Sequence, residues 1–327
     1  MKVHVLCPAG LVTGGPEALH QLVDAGQQLG YDMAMVYAPA HHPDPTPAPF
    51  RVYQPRISRQ VADTPDSVVI AAETSVLSLL DVRHAQRAVY WLSVDHYQLQ
   101  SEHTRLQSGQ RSPHDLVLDP ACRCLHLAQS DYARRFVEQR GQSALMLTDY
   151  IRDEIVARAA TVRHLGKEDI VAFNPKKGLE FTRQLMAATP ASIRWVPIQN
   201  MTPVEVASLL GRAKVYVDFG SHPGRDRIPR EAALCGCVVI TGTQGSAGSE
   251  IDLPLPAGFK FDERQTLAVP LVLDRIQQAM RDYAPLSARF EPYRAWIAGQ
   301  RAVFFDEVFA ALATLEAAIA RQQRQMA

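Results

Sequence analysis

The feature that most constrains the fold is an alternation of short apolar runs with amphipathic stretches, which occurs twice along the chain. The first series has apolar runs at residues 2–7, 32–38, 67–73, 88–94, 124–130 and 144–151. The second series has them at residues 169–173, 193–198, 214–219 and 237–241. Runs of this length are typical of buried strands, and several of the stretches between them show helical spacing. Strands that alternate with helices predict parallel sheets covered by helices on both faces.

The length of the chain, 327 residues, favours two domains. We expect an N-terminal domain over residues 1–150, a C-terminal domain over residues 165–285 and a helical tail over residues 291–327. Ligands of open α/β sheets bind beyond the carboxyl ends of the strands. Two such domains facing each other would therefore form one deep cleft. The Ala-rich tail predicts one or two helices that either pack back on the first domain or pair with another chain.

Composition excludes several functional classes. The net charge of zero argues against a broad nucleic-acid-binding surface, and 47% hydrophobic residues argue against disorder. The five cysteines include no CxxC pair, which favours small buried residues over zinc ligands or disulfides: Cys7, Cys122, Cys124, Cys235 and Cys237. The N-terminal apolar run is too short for a signal peptide, and no window has the length of a membrane span. We expect a cytoplasmic protein, and peripheral contact with the inner face of a membrane is compatible with this.

A charged segment, "GSHPGRDRIPRE", follows the strand predicted at 214–219. The planar guanidinium groups of Arg225, Arg227 and Arg230 match phosphate oxygens. Glu231 is expected in the first turn of the next helix, where the helix dipole favours a carboxylate. That carboxylate can accept hydrogen bonds from two neighbouring hydroxyls of a ribose. The segment therefore predicts a nucleotide site, and the alternative is a solvated cluster of salt bridges.

Two further loops follow strands of the second series. "NPKKG" places Lys176 and Lys177 before a helix, where free amides and two ammonium groups attract a diphosphate. "GTQGSAGSE" places Ser246 where its hydroxyl could bind phosphate or sugar. The alternatives are an ordinary surface turn for the first loop and a flexible turn for the second.

These segments resemble a known family. "REAALCGCVVITG" and "NPKKG" are similar to the nucleotide-sugar domain of GT-B-type glycosyltransferases, close to the retaining, glycosyltransferase family 4-like group with its Glu-x7-Glu signature. "TGGPEALHQLVDAGQQLGY" resembles the N-terminal glycine loop and first helix of that family. The resemblance implies two Rossmann-like domains facing a cleft.

The resemblance also implies roles for individual residues. Glu231 falls on the ribose-binding glutamate, and Lys176 or Lys177 would contact the donor diphosphate. Four residues would border the nucleotide base or face the cleft: Ile198 and Met201 at the base, Gly14 and Gly15 in the glycine loop. The sequence departs from the signature at Pro223, which stands where the first glutamate is expected.

Polar residues also follow strands of the first domain. Asp95 and His96 come after the run at 88–94, while Glu73 ends the run at 67–73 and Thr74 follows it. An inverting enzyme needs a general base for the acceptor hydroxyl, and Asp95 or His96 could serve. The alternative for His96 is a hydrogen-bonded structural histidine. The family implies no required metal or cofactor.

The sequence therefore predicts a glycosyltransferase of the polysaccharide-biosynthesis type. It would move a sugar from a UDP- or GDP-sugar to a glycan, a lipid-linked acceptor or another acceptor, with retention expected. Pro223 favours an alternative, a non-catalytic nucleotide-sugar-binding or scaffold subunit. A nicotinamide-dependent dehydrogenase is disfavoured because "LVTGGPEAL" lacks the GxGxxG spacing.

Overall fold

The computed structural model describes residues 1–326, and for residues 322, 325 and 326 it describes the backbone alone. The first series of apolar runs forms six strands: β1 (Lys2–Pro8), β2 (Asp32–Ala38), β3 (Ser67–Ala72), β4 (Gln86–Trp91), β5 (Leu125–Ala128) and β6 (Ala144–Met146). The helices between them are α1 (Gly14–Gln28), α2 (Leu77–Leu80), α3 (Val94–Ser108) and α4 (Asp131–Glu138).

The first sheet is parallel, in the order β2-β1-β3-β4-β5-β6. Every residue of β3 is buried, as expected for an interior strand with helices on both faces. Chain order reverses beside β1, because β2 lies on one side of it and β3 on the other. Such reversals leave a crevice at the carboxyl edge of the sheet.

The second series forms a separate parallel sheet. Its strands are β7 (Glu168–Phe173), β8 (Arg194–Pro197), β9 (Ala213–Asp218) and β10 (Val238–Thr241), in the order β10-β9-β7-β8. Its helices are α5 (Asp153–Val162), α6 (Leu179–Ala187), α7 (Pro203–Arg212), α8 (Arg227–Leu234), α9 (Ala268–Arg281) and α10 (Tyr283–Ala288). The predicted alternation of strands and helices is confirmed in both sheets. The reversal of chain order lies between β7 and β9, and it places their two following loops side by side.

A last helix, α11 (Glu291–Met326), is continuous. The chain divides into two compact units, which are Tyr150–Arg301 and Met1–Asp149 with the described residues from Ala302 onward. Within the latter unit, the Glu307 carboxylate of α11 accepts hydrogen bonds from the amide and hydroxyl of Thr148, at 2.7 and 2.6 Å. These bonds fix the C-terminal helix to the segment that follows β6.

Helix α7 shows how local sequence sets an element boundary. Thr202 caps the helix by accepting a hydrogen bond from the Glu205 amide, and the Glu205 carboxylate accepts one from the Thr202 amide. Pro203 stands at the first helical position, where a missing N–H is tolerated. The two reciprocal hydrogen bonds form a capping box, and the Thr-x-x-Glu spacing of the sequence is typical of this motif. None of the helices within residues 1–326 is long and apolar enough to cross a membrane.

Candidate functional site

The site is built from three loops at the carboxyl edge of the second sheet. They are residues 174–178 after β7, 219–226 after β9 and 242–249 after β10. The first two loops touch through their backbones at Gly178, whose φ of +56° lies in the left-handed region. A Cβ at this position would stand 2.3 Å from the carbonyl carbon and oxygen of Phe219, so only glycine permits the contact.

The third loop is held against the second by equally close contacts. A Cβ at Gly245 would lie 2.1 Å from the His222 carbonyl oxygen. The Ser246 amide donates to that oxygen at 2.9 Å, and the Ser246 hydroxyl donates to the Gly224 carbonyl at 2.6 Å. Ser246 is 3% exposed, so its hydroxyl serves to fix the loop in this state.

Glu263 supplies a connection that sequence reasoning missed. Its Oε1 accepts hydrogen bonds from the Gly220 amide at 2.8 Å and from the Gln244 side chain at 2.5 Å. One carboxylate thus ties the second loop to the third. No local pattern marks Glu263, because its partners are distant in sequence and one of them is a backbone amide.

Lys177 lies inside a cluster of acidic groups. Asp218, His222 and Asp226 bring their potential ligand atoms within 4.8 Å of one another. The Lys177 ammonium is 3.3 Å from Asp218 Oδ1 and 3.1 Å from His222 Nδ1, and it forms an ion pair with Asp226. An ammonium group therefore occupies the position that a metal cation would take between these carboxylates.

The pKa values of the two carboxyl groups in this cluster shift in opposite directions. Burial raises the pKa of Asp218, and the positive charge of Lys177 offsets this only in part. Burial would also raise the pKa of Asp226, but the hydrogen bond with His222 and the charge of Lys177 lower it below its usual value. His222 Nδ1 lies 2.7 Å from Asp226 Oδ2. The charge of Lys177 therefore joins the loop at 174–178 to the loop at 219–226, in addition to their backbone contact.

The three arginines have different environments. Arg230 is 1% exposed, and its guanidinium donates to the backbone carbonyls of Asp226 at 3.2 Å and Arg225 at 2.9 Å. Arg225 is 6% exposed; it donates to Gln300 at 2.7 Å and lies 5.0 Å from the ring centroid of Trp296. Arg227 is half-buried and is the first residue of α8.

Glu231 is half-buried and lies in the second turn of α8, because the helix begins at Arg227. The expectation that Glu231 stands in the first turn was wrong. The helix starts earlier because Asp226 takes the N-cap position and Pro229 falls within the first turn, where the missing N–H has no helical partner to lose. The dipole argument for Glu231 is correspondingly weaker, while its position beside the second loop is unchanged.

The remaining second-unit residues lie at neighbouring strand ends. Lys176 is exposed, and its amide donates to the Asn174 side chain at 3.0 Å. Ile198 and Met201 follow β8 and pack partly buried against the hydrophobic core. The Ile198 amide donates to the Phe173 carbonyl at the end of β7, at 2.8 Å. An apolar wall therefore stands next to the loop that carries the two lysines.

The residues singled out in the first unit lie at the carboxyl edge of the first sheet. Gly14 and Gly15 open α1, and a Cβ at Gly15 would lie 3.6 Å from Leu92 Cδ1. Asp95 and His96 lie in the first turn of α3; Asp95 accepts a hydrogen bond from the Tyr132 hydroxyl at 3.0 Å, and the His96 side chain is exposed. The structure therefore brings Gly15 close to the short segment that leads from β4 into α3.

Glu73 is buried at the same edge, with 2% exposure. Its Oε2 accepts a hydrogen bond from the Leu92 amide at 2.7 Å. Burial raises the pKa of Glu73 to about 7, although the backbone hydrogen bonds it accepts act in the opposite direction. The carboxyl group therefore holds the backbone that leads from β4 to α3, where Asp95 and His96 lie.

Two parallel sheets with these strand orders match the GT-B fold, which several glycosyltransferases of known structure have. Among solved structures, the chain is similar to TarM (12% identity, TM-score 0.58, covering 78% of this chain and 56% of TarM). It is also similar to a sucrose-phosphate synthase from Thermosynechococcus elongatus (15% identity, TM-score 0.58, covering 100% and 99%). A third is the lipopolysaccharide outer core galactosyltransferase WaaB (12% identity, TM-score 0.59, covering 96% and 99%).

This chain therefore spans little more than half the length of TarM. A variant of TarM from S. aureus forms a complex with fondaparinux, α-GlcNAc-glycerol and UDP. No protein-family model and no curated protein sequence matches the chain. At these identities the comparisons define the fold, and the chemistry has to be argued from the residues.

Proposed function

We propose that the chain is a glycosyltransferase that moves a sugar from a nucleoside diphosphate donor to a glycan, a lipid-linked acceptor or another acceptor. The observation that carries this proposal is the backbone contact between Gly178 and Phe219, at the reversal of chain order between β7 and β9. It brings the lysine-bearing loop against the loop that leads into the helix of Glu231. Loops at such a reversal form the usual ligand crevice of an open α/β sheet.

The local environments divide the charged residues into two groups. Lys176 is exposed and Arg227 is half-buried at the start of α8, and we assign both to the donor diphosphate. Lys177 is held by carboxylates and Arg230 by backbone carbonyls, so we propose that these two residues maintain the shape of the loops. Glu231 would accept hydrogen bonds from the ribose hydroxyls. We assign Arg225 to both roles, diphosphate binding and loop shape. It belongs to the loop at 219–226 and is buried against Trp296.

The other assignments follow from position. Ile198 and Met201 would contact the base, and Ser246 would shape the third loop. In the first unit, we assign Asp95 and His96 to the acceptor. Gly14 and Gly15 would let the backbone of this unit come close to a ligand. We propose retention of anomeric configuration and a UDP-sugar as the first donor to test, since the TarM variant forms a complex with UDP.

The test is donor binding by the intact chain and by Glu231→Ala. UDP, GDP, ADP, dTDP, CMP and NAD are compared by thermal shift, because a ligand that binds only the native state raises the melting temperature. Loss of the ribose contact should weaken binding about 10- to 100-fold. Glu250→Ala is the control, since this glutamate is exposed and pairs with Lys260 at the surface. Unchanged affinity in folded Glu231→Ala would contradict the ribose assignment.

A second candidate function is a nucleotide-sugar-binding or scaffold subunit without transfer activity. The observation that favours it is Pro223 in place of the first glutamate of the signature. The two candidates separate when the bound donor is incubated with the protein. Release of the nucleoside diphosphate, by transfer or by hydrolysis, supports the enzyme; tight binding with an intact donor supports the subunit.

A further inference from the structure

Two half-buried cysteines at the amino edge of the first sheet have their thiols in contact. The Sγ atoms of Cys122 and Cys124 are 3.3 Å apart, immediately before β5. Arg123 between them has a φ of +52°, in the left-handed region that non-glycine residues rarely adopt. This backbone turn brings the two side chains together. A disulfide requires a separation of about 2 Å, so a short further approach of the two sulfurs would close the bond.

The turn is fixed from the neighbouring strand. Arg87 on β4 donates to the Cys122 carbonyl at 3.1 Å and to its Sγ at 3.4 Å. Gln86 donates to the Arg123 carbonyl at 2.9 Å. Arg87 thus places a positive charge against Cys122 Sγ, and reactive cysteines lie in such electropositive, partly exposed surroundings. Burial and the neighbouring Cys122 raise the pKa of Cys124. Cys122 is therefore the attacking thiol and Cys124 the second one.

The chain contains its own comparison, because Cys235 and Cys237 have the same spacing. They are 2% and 0% exposed, and the Cys237 thiol donates to the carbonyls of Leu210 at 3.2 Å and Ala213 at 3.4 Å. Burial raises the pKa of Cys235 to about 12 and that of Cys237 to about 11. The spacing alone therefore does not produce a reactive pair, and the difference lies in exposure and in the arginine.

We propose that Cys122 and Cys124 form a reversible thiol-modification site whose reactant is a small-molecule disulfide of the glutathione type. The Cys122 thiolate attacks one sulfur of this disulfide, which forms a mixed disulfide and releases one thiolate. The Cys124 sulfur, after losing its proton to solvent, then attacks Cys122 Sγ and releases the second thiolate. Two protein thiols are oxidised to one disulfide, and the reactant is reduced to two thiols. This site is independent of the proposed glycosyl transfer.

The test treats the native chain with oxidised glutathione, alkylates the remaining thiols and maps the peptides by mass spectrometry. We expect a linked Cys122–Cys124 peptide with a loss of about 2 Da, reversed by dithiothreitol, while Cys235 and Cys237 react more than about tenfold more slowly. Cys124→Ser should accumulate glutathione on Cys122, and Cys122→Ser should accumulate little on Cys124. Cys235→Ser is the control and should leave the Cys122–Cys124 reaction unchanged.

Two results would overturn the proposal. The first is a folded wild-type chain in which Cys122 and Cys124 are alkylated as fully as before the treatment. The second is oxidation of the two CxC pairs at equal rates, because exposure and Arg87 would then have no role. The wild-type measurement needs no substitution, so it decides the question even if a variant fails to fold.

Discussion

Replacing Glu73 with glutamine should remove a specific pH dependence from the stability of the first unit. The pKa of Glu73 rises from 4.5 to about 7 on folding, because the carboxyl group is buried. Each unit of pKa corresponds to about 1.4 kcal/mol, so ionised Glu73 reduces the free energy of unfolding by about 3 kcal/mol. This loss develops as the pH rises from the unfolded pKa through the folded one, and it persists above about pH 7.

Glutamine has nearly the same shape and does not ionise. Its side-chain oxygen can still accept the hydrogen bond that Glu73 accepts from the Leu92 amide. Near pH 5 the folded wild type is mostly protonated at this position, so the two proteins should differ by less than about 1 kcal/mol. Near pH 9 the Glu73→Gln protein should be more stable by up to about 3 kcal/mol.

The assay is urea unfolding followed by circular dichroism at several pH values between about 5 and 9. The quantity of interest is the difference in free energy of unfolding between variant and wild type, so other titrating groups cancel. Glu102→Gln is the control, because Glu102 is exposed on α3 in the same unit. A Glu73→Gln difference that does not change with pH would refute the assigned ionisation and the burial that causes it.

Four further substitutions test the loops and one helix cap of the second unit. Gly178→Ala should lower the free energy of unfolding by more than about 2 kcal/mol, from the left-handed backbone and the contact with Phe219, and urea unfolding measures it. Lys177→Met should lower it by about 3 kcal/mol, because the Asp218 and Asp226 carboxylates lose their cation; Lys176→Met should instead weaken UDP binding at unchanged stability. Thr202→Ala should remove the cap of α7 and about 1 kcal/mol, and an unchanged unfolding midpoint would contradict that.

The strands and the sheet class could be predicted because they depend on patterns within a few residues. Ten apolar runs gave ten parallel strands, and the capping box at Thr202 set the start of α7. The start of α8 was placed too late, since Glu231 was expected in its first turn and the helix begins at Arg227. The missing N–H of a proline has no consequence in a first turn, so Pro229 is compatible with a helix that begins at Arg227.

The partners of charged side chains could not be predicted, because they are set by the fold. Lys177 and Lys176 are adjacent in sequence, yet one is enclosed by Asp218 and Asp226 and the other is exposed. The pairs Cys122–Cys124 and Cys235–Cys237 likewise have the same spacing, yet the first pair is half-buried and the second is fully buried. Spacing identifies residues with suitable chemistry, while burial determines which of them remain available to a ligand. For the phosphate site, the exposed Lys176 is therefore a better candidate than the enclosed Lys177, and comparing the two lysine variants tests that distinction directly.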